Sequence, residues 1–178
     1  MQSFFKSETA RELKNLHLPR YQELPALELY MDQVISVIDG TLSPLFPQSG
    51  GPILTPTMIN NYVKQKIVEP PVKKRYNREH LAYFLVVALL KPVFSISEIR
   101  ALLQRQMQVA GTDVAYNRFC TELEESIAAM MNGTELQKPL PPTGEADLLR
   151  ATVISLVNKI YVEKFLEYAA GDPEAELC

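Results

Sequence analysis

Thr55, Thr57, Asn60 and Asn61 put short hydroxyl and amide groups into one brief stretch, and Lys64, Lys66, Lys73, Lys74 and Arg75 follow closely behind. Amides and hydroxyls can exchange paired hydrogen bonds with base edges, while long cations neutralise phosphates. Asn60, Asn61 and Thr57 are therefore candidate base readers. Lys64, Lys66, Lys73, Lys74 and Arg75 are candidate phosphate contacts, and Thr55 lies at the edge of the set.

Those groups need a helix and a turn to hold them. Thr55 suits an N-cap, and Pro56 suits the first helical position, where its missing N–H costs nothing. Met58, Ile59 and Tyr62 recur at helical spacing and are expected to share a buried face, leaving Thr57, Asn60, Asn61, Lys64 and Gln65 polar. Glu69-Pro70-Pro71 stops the helix. Val72–Tyr76 then reads as extended, long enough only for a small two-stranded wing. Asn77 caps the next helix, with Glu79 in its first turn.

Charge placement supports a local footprint. The chain of 178 residues has a net charge of −3, yet residues 55–91 carry Lys64, Lys66, Lys73, Lys74, Arg75, Arg78 and Lys91 against Glu69 and Glu79, a local +5. No global charge draws this protein to a polyanion, so any such binding must come from the basic island.

The remaining elements read as scaffold. Ser7–His17 is a short helix capped by Ser7, with His17 isolated. Leu24–Asp39 reads as a helix opened by Pro25 and ended by Gly40, its apolar stripe made by Leu27, Tyr30, Met31, Val34, Ile35 and Ile38. Thr41–Pro52 is a Pro/Gly loop. Asn77–Lys91 is apolar nearly all round and must be central. Ser95-Ile96-Ser97-Glu98 is a capping box that opens a helix over Ile96–Met107. Gly111–Gly133 is a further helix, with Glu122, Glu124 and Glu125 on a solvated face. A Pro-rich linker, Thr134–Gly144, leads to a last helix over Glu145–Ala170. The fold class is mainly α. The expected division is an N-terminal arm over 1–22, a winged helix-turn-helix over 23–108 and a C-terminal helical region over 109–178 that completes a core or dimerises.

Two cysteines far apart, Cys120 and Cys178, make no disulfide framework. The longest apolar run, Leu81–Leu90, is too short to cross a bilayer, and no N-terminal signal is visible. The expectation is a cytoplasmic protein without membrane contact. No nucleophile elbow, zinc-ligand pair, phosphate loop, dinucleotide fingerprint or His–carboxylate pair is present, so neither an enzyme nor a cofactor is expected.

Thr55–Pro70, with Thr55-Pro56-Thr57-Met58-Ile59-Asn60-Asn61-Tyr62-Val63 at its start, resembles the recognition helix of MerR-type regulators. Arg75-Tyr76-Asn77-Arg78-Glu79-His80-Leu81 is similar to that family's wing exit, and Phe94-Ser95-Ile96-Ser97-Glu98-Ile99 to its following helix start. More specifically, the central segment resembles a bacterial domain-of-unknown-function family related to MerR. The resemblance implies a winged helix-turn-helix regulator that binds double-stranded DNA as a homodimer, with recognition helix about 55–66 and basic wing about 70–76. It also gives Tyr62 a second role beside core packing, its hydroxyl lying against the DNA backbone. Asn60, Val63 and Lys66 stand where the family has Arg, Glu and Gly. Asn60 and Val63, uncharged where the family has charges, together with the modest net charge, favour an alternative, a non-catalytic helical module that keeps the winged scaffold and binds protein. Met and aromatic residues between the central and C-terminal helices leave an unidentified small-molecule or protein effector open.

Overall fold

The computed structural model describes residues 4–46, 51–134 and 144–171. Seven α-helices follow in order: α1 Glu8–Lys14, α2 Met31–Leu42, α3 Pro56–Lys64, α4 Arg78–Leu90, α5 Ile96–Val109, α6 Thr112–Asn132 and α7 Gly144–Gly171. The protein is mainly helical, as composition and periodicity predict. The chain divides into two compact units, Leu18–Cys120 and the pair of segments Met1–His17 with Thr121–Cys178. These borders differ from the arm, central and C-terminal segments drawn from sequence.

In the unit Leu18–Cys120, α4 is the hub. Leu81, Phe84, Leu85, Val87, Ala88, Leu89 and Leu90 are all buried. The helix is apolar around its circumference because neighbours cover it on more than one side. It packs on α2, and α2 packs on α3. Leu42, Leu45 and Leu54 are buried and pin the connection between α2 and α3 onto this core. Ser95 caps α5 in the expected box, its hydroxyl accepting from the Glu98 N–H while the Glu98 carboxylate accepts from the Ser95 N–H at 2.7 Å.

Two expectations change here. The helix predicted from Leu24 begins only at Met31. Leu24 precedes Pro25 and is extended, as sterics before proline require. Leu29 is also drawn into an antiparallel pair with Tyr76, N–H to carbonyl at 2.8 Å in both directions. An extended Leu29 cannot be helical, so Leu27 is left 80% exposed instead of joining an apolar stripe. Gly40 lies inside α2, which ends at Leu42 just before Pro44.

The second change concerns the wing. Among the described residues there is no β-strand, only the isolated bridges Leu29–Tyr76 and Val72–Arg75. The hairpin stops after one pair for a covalent reason. Pro71 faces Tyr76 as a non-hydrogen-bonded pair, so the next ladder bonds would fall to Pro70 and Asn77, and proline has no N–H to give. The N–H and carbonyl of Tyr76 point the other way, to Leu29.

In the other unit, Leu123, Ile127 and Met131 of α6 and Leu149, Val153, Leu156, Val157 and Ile160 of α7 are buried. Phe4 enters a ring cluster, edge-on to Tyr161, Phe165 and Tyr168 at 5.5–5.6 Å. The carboxylates of α6 are not simply a solvated face. Glu122 accepts from Arg150 Nε at 2.7 Å with both side chains largely buried. Glu124 lies 3.5 Å from His17, which is thereby paired rather than isolated; Glu125 alone of the three is exposed. Residues 135–143 of the predicted linker and 172–178 of the tail lie outside the described residues. No helix among the described residues is long and apolar enough to cross a membrane.

Candidate nucleic-acid interface

α3 forms where its sequence signals place it. Thr55 Oγ1 accepts from the Met58 N–H at 3.3 Å, and Pro56 occupies the first turn. Ile59 and Tyr62 face the core. Met58 does not join them and is 38% exposed, its sulfur 3.9 Å from Lys91 Nζ. Thr57, Asn60, Asn61, Lys64, Gln65 and Lys66 are exposed, which leaves an outward face of amides, hydroxyls and cations. The Asn61 amide is partly engaged, its Oδ1 accepting from Gln65 Nε2 at 3.1 Å.

Tyr62 takes the core alternative. Its side chain is buried, and that burial raises its phenol pKa above the ordinary value. Thr55 is half-buried with its hydroxyl committed to the cap. The outward set is therefore Thr57, Asn60, Asn61, Lys64 and Lys66 on or beside α3, and Lys73, Lys74 and Arg75 on the turn.

α3 ends in a Schellman motif. The Ile67 N–H reaches the Tyr62 carbonyl at 3.0 Å, the Lys66 N–H reaches that of Val63 at 3.0 Å, and Lys66 itself takes φ +55. This position ordinarily belongs to glycine. Lysine holds it here with its charge in solvent.

Both flanks of α3 are tied to the scaffold. Before it, Asp39 Oδ1 accepts from the Ile53 N–H at 2.7 Å, and Lys91 Nζ donates to the Ile53 carbonyl. Burial lowers the Lys91 pKa, with Asp39 acting in the opposite sense. After α3, the backbone of Glu69 is held by His80, whose Nε2–H donates to the Glu69 carbonyl at 3.1 Å. In the neutral ring this leaves Nδ1 to accept from the Asn77 N–H at 3.2 Å; Nδ1 also lies 2.5 Å from Asn77 Oδ1, a contact that becomes a hydrogen bond when Nδ1 is protonated. Burial pushes the His80 pKa down. Ile67, Val68, Glu69, Glu79, His80 and Tyr83 line a cleft of about 100 Å³, well below the ~300 Å³ of a small-molecule pocket.

Two members of the basic island are therefore structural. Lys91 holds Ile53, and Arg78 donates from Nε to the Leu24 carbonyl at 3.1 Å with its guanidinium 5.6 Å over the Tyr21 ring. The outward cations are concentrated in the turn. Val72 and Arg75 close it with an N–H to carbonyl bond of 2.9 Å, and Lys73 and Lys74 occupy its centre at φ +51 and +62. Two consecutive positive φ values define a type I′ turn, for which Asn-Gly is the usual pair. Arg75 is ordered by Tyr30, donating from Nη2 to the phenol oxygen at 3.0 Å with its guanidinium 5.0 Å over the ring.

Tyr30, His80, Asp39 and Lys91 are positioning residues that sequence reasoning did not find. Tyr30 falls in the apolar stripe that periodicity predicts, and His80 carries no local pattern that signals its role. Their roles come from partners between 11 and 45 residues away. Among the described residues, no group of three or more His, Cys, Asp or Glu side chains could hold a metal ion.

The class defined at this level is a helical domain built on a buried central helix, presenting a clamped polar helix and a cationic turn. The chain belongs to the family described as Domain of unknown function (DUF1836), which matches residues 19–119. That span coincides with the compact unit Leu18–Cys120 to within one residue at each end. Neither the curated proteins nor the solved structures include a match to the chain.

Proposed function

We propose that the chain is a sequence-specific double-stranded-DNA-binding regulator of MerR-like, winged helix-turn-helix type, with the wing reduced to a single-pair turn. α3 would read bases through Asn60, Asn61 and Thr57. Lys64, Lys66, Lys73, Lys74 and Arg75 would hold phosphates. The observation that carries this is the turn tip. Lys73 and Lys74 both occupy left-handed conformations that disfavour any residue with a Cβ, at roughly 1–2 kcal/mol each. Strain of this kind concentrates at functional sites, and here it presents two cations beside a third. α3 adds a helix fixed at both flanks, which suits groove readout.

The regulator would act as a homodimer. Val162 and Leu166 on α7 are exposed apolar residues, and a two-fold pair of readers matches palindromic half-sites. A protein-binding module is the second reading. It draws on Val72, 67% exposed at the turn, and on Val63 where a charge stands in the resembling family.

Binding to a pool of random-sequence duplexes across a salt series separates the two. Affinity should fall with salt at a log–log slope of about −0.9 per phosphate contact, with enrichment of a palindromic motif. The triple variant K73A/K74A/R75A should lose up to three contacts and flatten the slope by about 2–3. Unchanged affinity in that variant, or no binding at low salt, would remove the DNA reading and leave the protein-binding one.

A further inference from the structure

Tyr30 lies outside both the polar helix and the basic turn, yet the backbone register brings it to the turn. Leu29 and Tyr76 exchange both backbone hydrogen bonds, so in antiparallel register Tyr30 falls opposite Arg75. Arg75 in turn pairs with Val72 across the hairpin. Cross-strand partners project to the same face, and Tyr30, Arg75 and Val72 form one outward row. All three are exposed, while Tyr76 on the other face is buried.

Tyr30 is itself held. Its backbone N–H donates to Gln33 Oε1 at 2.9 Å at the start of α2, and the Leu29–Tyr76 pair fixes the residue before it. A ring fixed in this way offers Arg75 a face and a hydroxyl. The guanidinium sits 5.0 Å over the ring, and Nη2 donates to the phenol oxygen. Arginine has five N–H donors in a planar fork. One is used by Tyr30, and the remainder are held in one place in solvent.

We propose that Tyr30 is a positioning residue for phosphate binding. It pre-orients the Arg75 fork so that a backbone phosphate of a nucleic-acid duplex meets an ordered guanidinium rather than a free side chain. This rests on the DNA-binding reading and adds to it a residue that neither the helix nor the turn contains. Lys73 and Lys74 have no such support and serve as unoriented point charges. Exchange of Arg75 for lysine should therefore cost more than loss of geometry at either neighbour.

The test is a double-mutant cycle on the full chain, read as affinity for a short random-sequence duplex at low salt. R75A is expected to weaken binding and to flatten the salt slope by about 0.9. Y30L should weaken it by roughly two- to five-fold, the size of an exposed cation–π contact. Because Tyr30 acts only through Arg75, Y30L/R75A should bind no worse than R75A alone. Y30F, which keeps the ring and loses the hydroxyl, should fall between wild type and Y30L and covers the case in which Y30L folds poorly. Losses that multiply in the double variant, or wild-type affinity in Y30L and Y30F while R75A binds weakly, would overturn the positioning role and leave DNA binding standing. Absence of wild-type duplex binding, or indifference to K73A/K74A/R75A, would overturn the DNA reading and this inference with it.

Discussion

Lys66 and Gly133 solve one local problem with different residues. Each ends a helix in the left-handed region, Lys66 at φ +55 after α3 and Gly133 at φ +66 after α6. Each donates its N–H three residues back, and the following residue donates five back, Ile67 to Tyr62 and Thr134 to Ala129. Glycine adopts this conformation without a steric penalty, and lysine does not. Lys66→Gly is accordingly expected to stabilise the fold by about 1 kcal/mol, read as a higher urea midpoint at unchanged slope. If Lys66 touches phosphate, the same variant should flatten the salt slope of duplex binding by about 0.9. A more stable variant with an unaltered slope would take Lys66 out of the contact set while leaving the rest of the interface in place.

At the scale of elements, the exit from α3 depends on one neutral histidine. His80 caps its own helix through Asn77 and holds the Glu69 carbonyl, so α4 and the backbone that follows α3 are linked through an imidazole. Burial is the largest influence on its pKa and lowers it, against raising contributions from the Glu69 carbonyl and the charges of Glu79 and Glu69. A group harder to protonate when folded contributes stability above its unfolded pKa of ~6.5 and loses it as pH falls towards the folded value. Unfolding free energy should therefore decline as pH falls below about 6.5. His80→Gln should flatten that decline while lowering stability at neutral pH. Identical pH slopes in wild type and variant would assign the dependence to other groups.

For the molecule as a whole, the family span and the compact unit Leu18–Cys120 coincide, and the residues proposed to contact a duplex all fall inside it. The other unit carries its own polar commitment. Glu122 and Arg150 pair at 2.7 Å with side chains 15% and 12% exposed. Arg150 Nη1 is buried without a hydrogen-bond partner, so the carboxylate is its main electrostatic compensation. Removing one member of such a pair leaves a buried charge uncompensated, at roughly 3–5 kcal/mol. Glu122→Gln should lower the melting temperature by that equivalent, and E122L/R150L should recover most of it. Duplex affinity well below the melting transition should not change in either. A shift in affinity there would tie this pair to the interface.

Short-range chemistry was legible in the residues alone. Ser7, Thr55, Asn77 and Ser95 cap helices by bonds to groups three residues on, so the starts of α1, α3, α4 and α5 could be read from local pattern. The burial of α4 followed from its unbroken apolar run. What tertiary structure decided rests on partners far away in the chain. Leu29 is extended because Tyr76 takes its backbone, and that one pair delays α2 and sets Tyr30 against Arg75. Positive φ at Lys66, Lys73 and Lys74 was equally hidden, since lysine carries no signal for a conformation it disfavours. The sequence by itself determined which helices form and which charges cluster, because caps and periodicity act within a turn or two of helix. Only the fold determined which of those charges are outward and oriented, because Lys91 and Arg78 were drawn into backbone carbonyls and Arg75 onto a ring by chain segments that meet only after folding.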